Sequence, residues 1–149
     1  MSLCLGAEAV WVGTRFVMAK EAGAPPAHQN SVAKTGYHDT IRTIIFTGRP
    51  MRVAKTEYIM DWENNRQDEI KDLTSVGKLP IESDIKRLKE DDNAKMPPGG
   101  MMGMRPWLMG QCAGAIEDVK PAKEIIDEMV GGAIKILRGT THTIGRPRL

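Results

Sequence analysis

Hydrophobic positions follow two rhythms along the chain. In residues 3–18 (LCLGAEAVWVGTRFVM) the run Ala9-Val10-Trp11-Val12 is continuous and closes on Gly13-Thr14. A short apolar run bounded by glycine reads as a buried strand of the parallel kind, covered on both faces and ending at Gly13. Such a strand needs neighbours supplied by other strand–helix units. Residues 39–53 (DTIRTIIFTGRPMRV) form a β-branched block with Thr40, Ile41, Thr43, Ile44, Ile45 and Thr47. They favour extended backbone, which breaks at Gly48-Arg49-Pro50.

The other rhythm is helical. Pro25-Pro26 opens a short helix that closes at Gly36, with proline at its start and glycine past its end. Residues 57–76 carry Ile59, Trp62, Ile70 and Leu73 among charges, with Gly77 as a cap. Ile81, Ile85 and Leu88 stand at i, i+4 and i+7 in residues 80–90. Residues 121–137 start on Pro121, with Ile125, Met129, Ile136 and Leu137 expected inward and Gly131-Gly132 weakening the middle. The division expected is 1–36 for the strand and its helix, 37–90 for a helical extension and 91–106 for a flexible connector. Residues 107–138 would hold a Gly-rich segment and helix, and 139–149 a frayed tail.

At 149 residues, 41% of them hydrophobic, the chain is sized for one core. Its 21 Lys+Arg against 19 Asp+Glu alternate in sign, so no concentrated basic face suggests a nucleic-acid partner. No apolar stretch is long enough to cross a bilayer. Residues 1–6 lack the cationic start and apolar core of a secretory signal. Cys4 and Cys112 show neither metal-ligand nor disulfide spacing, and the expected location is a reducing compartment, the cytoplasm.

Chemistry concentrates at Val12-Gly13-Thr14. A phosphate at the end of a parallel strand needs a residue without Cβ, free N–H groups and a hydroxyl donor, and Gly13 and Thr14 supply these. Arg15 adds charge nearby. The same pattern also serves as a simple turn, and both readings stay open. His28 and His38 read as surface or capping residues, and His142 lies in the tail. Asp39 is not expected to meet His38, because neighbours along a strand face opposite ways. Arg49 either pairs with an acid or is solvated in its turn. Gln111 either hydrogen-bonds a ligand or accompanies close packing of Gly110, Ala113 and Gly114. Cys112 reads as a small buried residue. Asp61, Glu63, Asp68, Glu69 and Asp72 form a solvated face. No metal site is indicated, and no catalytic residue is assigned.

Taken in order, GAEAVWVGTRFVMAKEAGAP, TIIFTGRPMR, WLMGQCAGAI and PAKEIIDEMV resemble the C-terminal portion of the nitronate monooxygenase family, formerly called 2-nitropropane dioxygenases. There a (β/α)8 barrel holds FMN, and LGAxxVxVGTRF is the last barrel strand with the turn that grips the flavin phosphate. The resemblance implies an α/β fold: the C-terminal fragment of a TIM-type barrel with a helical extension, predominantly helical as it stands. It implies FMN as cofactor, with Trp11, Val12, Gly13 and Thr14 at the phosphate end and Gln111 near the cleft. Many relatives carry Gln at the Trp11 position. The implied reaction is oxidative denitrification of alkyl nitronates, small-molecule substrates. A barrel takes roughly 250 residues, so the chain is expected to be incomplete and weakly active or inactive alone. The family's catalytic histidine belongs to the portion not matched, so none of the three histidines inherits the base role. An FMN-dependent enoyl reductase, or a non-catalytic truncated chain whose exposed strand pairs with another polypeptide, are the alternatives.

Overall fold

The computed structural model describes residues 2–91 and 93–144, with side chains through residue 139. Seven helices and one hairpin are found among them: α1 (Thr14–Val17), α2 (Pro26–Lys34), β1 (Thr40–Thr43), β2 (Met51–Ala54), α3 (Glu57–Asn65), α4 (Gln67–Ser75), α5 (Pro80–Glu90), α6 (Gly100–Gly103) and α7 (Ala122–Ile144). Short 3-10 turns cover Leu3–Leu5 and Gln111–Ala115. Helix predominates, as expected.

The opening strand is not formed. Residues 9–13 are irregular, with Val10 61% and Trp11 99% exposed. The physical reason is pairing: a strand exists through hydrogen bonds to a neighbour, and no described residue pairs with this run. The first backbone pairing with a distant segment comes later. Lys120 donates its N–H to the Met18 carbonyl and its own carbonyl accepts from Lys20.

The β-branched block folds as an antiparallel hairpin with Thr40 opposite Ala54, Ile41 opposite Val53, Arg42 opposite Arg52 and Thr43 opposite Met51. Gly48, at φ +68°, turns the connection. Successive residues of a strand face opposite sides, and β2 uses both. Val53 enters a cluster with Ile45, Phe46, Tyr58, Ile59, Trp62, Ile70 and Met104. Ala54 enters a second with Met18, Val32, Met109, Ala113 and Ile116. The core is therefore two adjoining clusters divided by β2.

Helix boundaries follow local chemistry. Pro26 starts α2, and Thr56 caps α3 by accepting the Ile59 N–H at 3.2 Å while its hydroxyl donates to the Gly103 carbonyl at 2.8 Å. The expected 57–76 helix is broken at Arg66, just past the weak helix formers Asn64 and Asn65. Arg66 stacks its guanidinium 3.3 Å from the centre of the Trp62 ring.

Buried Asp84 stands at the centre of the inward face of α5, where sequence spacing placed Ile85; Ile85 is exposed. Asp84 Oδ2 accepts from the Tyr58 hydroxyl and from Trp62 Nε1, both at 3.0 Å, and from Arg66 at 3.1 Å. Arg87 reaches Oδ1 at 3.2 Å. Four donors compensate the buried carboxylate, so α5 can be pinned to α3 through a charge.

Helix α7 departs from expectation. Ile125 is buried, but Met129, Ile136 and Leu137 are exposed, because the helix it packs against, the four-residue α1, is too short to cover a helix of 23 residues. The Leu3–Leu5 turn lies against the later part, around Ala133, Ile136 and Leu137. The helix continues to Ile144, so the expected tail is partly helical; residues 145–149 lie outside the described residues. No helix among the described residues is long and apolar enough to cross a membrane.

Candidate functional site

The turn at Gly13-Thr14 meets a segment almost a hundred residues later. Thr14 Oγ1 accepts the Gly110 N–H at 2.8 Å. Strand β2 sets this meeting, because its free edge binds residues 107–109. Ala54 donates its N–H to the Trp107 carbonyl at 3.0 Å, and Met109 donates to the Arg52 carbonyl at 3.2 Å. Helix α2 closes the other side. His28 Nε2 lies 2.8 Å from the Leu108 carbonyl, which can only accept, so this nitrogen carries the proton. The His28 ring is 5.8 Å from that of Trp107. Gln29 Nε2 holds the end of α1 by donating to the Val17 carbonyl at 2.9 Å.

These elements border an open surface cavity of about 400 Å³ lined by Gly13, Thr14, Val17, His28, Arg52, Leu108 and Met109. Gly13 is open: a Cβ built there meets nothing within 4 Å. Thr14 Oγ1 accepts from Gly110, and its hydroxyl proton finds no acceptor among the described residues. The wall is almost wholly apolar; Arg52 borders it, and its guanidinium donates to Thr40 Oγ1 at 3.1 Å.

Among the residues expected at the site, Gly13 and Thr14 line the cavity. Val12 is half-buried beside them, and Trp11 projects into solvent and forms no part of the wall. Gln111 is exposed and opens the 3-10 turn directly after Gly110. Arg15 does not add its charge to the cavity. Its guanidinium donates to the Asp118 carboxylate at 2.7 Å and the Asp118 carbonyl at 2.8 Å. The Lys120 hydrogen bond, with the charges of Lys120 and Arg15, holds the Asp118 carboxyl below the usual carboxylate range.

Cys112 is exposed rather than buried, because Ala113 takes the inward position of the turn. Arg49 has no ion pair among the described residues; its turn is held by hydrogen bonds between its backbone and Thr47 Oγ1. Asp39 accepts the Gly36 N–H rather than contacting His38. The acidic face is partly engaged locally, with Glu69 on Arg66 and Asp68 on Lys71. No group of three potential metal-ligating side chains exists among the described residues.

His28, expected at the surface, lies in the cavity wall, and Arg52 was not singled out from sequence at all. The signal for each was a spacing. His28 sits four residues before the fully buried Val32, on the same helix face, and Arg52 alternates with Val53 so that it shares a strand face with Ala54.

Comparison with known proteins converges on one family. The nitronate monooxygenase family model matches residues 1–132. A protein of Mycobacterium tuberculosis named as a monooxygenase is 28% identical over 129 residues, 87% of this chain and 34% of that protein. A protein of Staphylococcus saprophyticus named as a nitronate monooxygenase is 37% identical over 78 residues, 52% of this chain and 22% of the relative. Among solved structures, FabK from Thermotoga maritima superposes with a TM-score of 0.60 at 29% identity, covering 93% of this chain and 42% of FabK. The chain spans a third of the length of the first relative and less than half of FabK, and its fold corresponds to part of a TIM-type barrel. A model match over nearly the whole described chain, together with these relatives, leaves one conclusion: the chain belongs to the nitronate monooxygenase family.

Proposed function

We propose that this chain is a flavin-phosphate-holding portion of an FMN-dependent oxidoreductase that oxidatively denitrifies alkyl nitronates, weakly active or inactive alone. The observation that carries the reading is the contact between Thr14 Oγ1 and the Gly110 N–H, which joins two segments singled out in sequence around one cavity.

The corner offers part of what the phosphate end of FMN would need. Gly13 leaves open the space a side chain would fill and the Thr14 proton is available to donate, in surroundings that are otherwise almost wholly apolar. FMN, when bound, supplies the redox chemistry, and the protein supplies binding and orientation. Gly13 lets an anion approach the backbone. The Gly110 N–H fixes the Thr14 oxygen and leaves its hydroxyl proton to donate elsewhere. Gln111, exposed beside Gly110 but outside the cavity lining, would hydrogen-bond flavin or substrate.

A second reading has its own support. A relative from Mycobacterium tuberculosis, 27% identical over 92% of this chain and 46% of its own length, is named as a hydroxy-methyl-oxo-octahydro-indene-carboxyl-CoA dehydrogenase. It favours an acyl-thioester substrate on the same flavin site, the chemistry of an enoyl reductase. Supplying the chain with FMN and assaying oxygen-dependent loss of an alkyl nitronate against oxidation or reduction of an acyl thioester separates the two. Turnover of the nitronate, however slow, supports the first reading, and turnover of the thioester alone supports the second. Absence of FMN binding contradicts both.

A further inference from the structure

We propose that α7 is the contact helix of a symmetric dimer, in which a second copy of this chain lies antiparallel along its exposed apolar stripe. Ile126, Val130, Ile134 and Leu137 recur at helical spacing along one face of α7, and all four are between 37% and 53% exposed. Buried Ile125 belongs to the neighbouring face, turned to the body of the molecule. Leu3, itself exposed, lines a small cavity with Leu137 and widens the apolar surface. A contiguous apolar surface of this kind marks an interaction site.

The charges beside the stripe identify its occupant. Asp127 follows Ile126 and Arg138 follows Leu137. Their separation is close to three helical turns, so both stand on the same edge of the stripe, at opposite ends. Laid antiparallel about an axis between Gly132 and Ala133, two copies set Asp127 of each beside Arg138 of the other, so one symmetric contact makes the same ion pair twice. A parallel copy would set like against like. The rest of the helix repeats the division, with Glu124 and Glu128 in its first half and Lys135 in its second. Antiparallel packing also opposes the two helix dipoles. Within one copy, Lys123 reaches Asp127 at 2.6 Å and Lys120 reaches Glu128 at 2.7 Å. These are surface pairs, which stabilise little, and a carboxylate accepts from more than one cation.

One helix per copy makes an interface at the low end of the stable range, so association is expected at about 10 μM. The test is sedimentation equilibrium of the full chain, wild type and variants, with circular dichroism to establish folding. Wild type passes from monomer to dimer as its concentration rises through that range, and Val130→Glu abolishes the dimer. Asp127→Lys and Arg138→Glu each turn both ion pairs into repulsions and weaken association by about tenfold or more. Mixing these two variants in equal amounts restores it, because each supplies the charge that the other has reversed. The double variant associates as wild type does. A wild type that stays monomeric well above the expected range, or an assembly of another size, overturns the proposal. So do folded charge variants that associate like wild type, or a mixture that fails to recover, since an apolar contact without this pairing predicts both.

Discussion

Single residues set whether the corner can receive a ligand. Gly13 is open on the cavity side, so Gly13→Val is expected to fold with a melting temperature close to wild type while its side chain fills the approach to the backbone. Flavin phosphate binding should be lost in that variant; unchanged affinity would remove Gly13 from the site. Gly114 is the opposite case. A Cβ there would lie 2.5 Å from the Tyr37 nitrogen, backbone that cannot swing aside. Gly114→Ala should therefore destabilise the fold by about 1–3 kcal/mol, measured by urea unfolding. A third residue gives a pH signature. Burial, reinforced by the charge of Asp84, pushes the Tyr58 phenol above its ordinary value. The native state then keeps a proton that the unfolded chain releases above about pH 10. The contribution is complete below that pH and declines as the pH rises past it. Tyr58→Phe should show a shallower alkaline loss of stability in urea midpoints, and equal slopes would contradict the assignment.

Elements show what the sequence could and could not say. Helices α2 and α5 announce themselves through Pro26 and Pro80 at their first turns, and the hairpin through β-branched residues around Gly48-Arg49-Pro50. All of that information is local. The run Ala9–Val12 has the composition of a strand, but strand formation depends on neighbours, and composition does not supply them. Asp84 was hidden for another reason. Helical spacing gives weight to apolar residues, whereas a carboxylate can occupy a core position once Tyr58, Trp62 and Arg66 bring donors to it. At the site, Gly13, Thr14 and Gln111 could be singled out through motif resemblance. His28 and Arg52 could not, since a lone histidine and a strand arginine carry no chemistry until the fold brings residues 107–109 across β2. Helix α7 offers a test at this scale. Gly131 has no contact within 4 Å of a built Cβ and an unstrained backbone, so Gly131→Ala should stabilise the helix by about 0.5–1 kcal/mol. A fall in melting temperature would show that this glycine is needed for packing.

At the scale of the whole molecule, two clusters share β2, and the cavity lies at the second of them, between α1, α2 and residues 107–111. Leu5, Val10 and Trp11 remain exposed early in the chain and Leu108 at the cavity, and the chain spans only part of the length of its relatives. One Gly-Thr corner provides part of a phosphate cradle, so FMN affinity should be weaker than about 1 μM. Even weak binding carries a sign that identifies the corner: discrimination between flavins that differ only in the phosphate. Titration of this chain with FMN and with riboflavin, followed by flavin fluorescence, tests this most directly. The account predicts that FMN binds about tenfold or more tightly than riboflavin, a difference of about 1.4 kcal/mol, and equal affinity for the two flavins would contradict it.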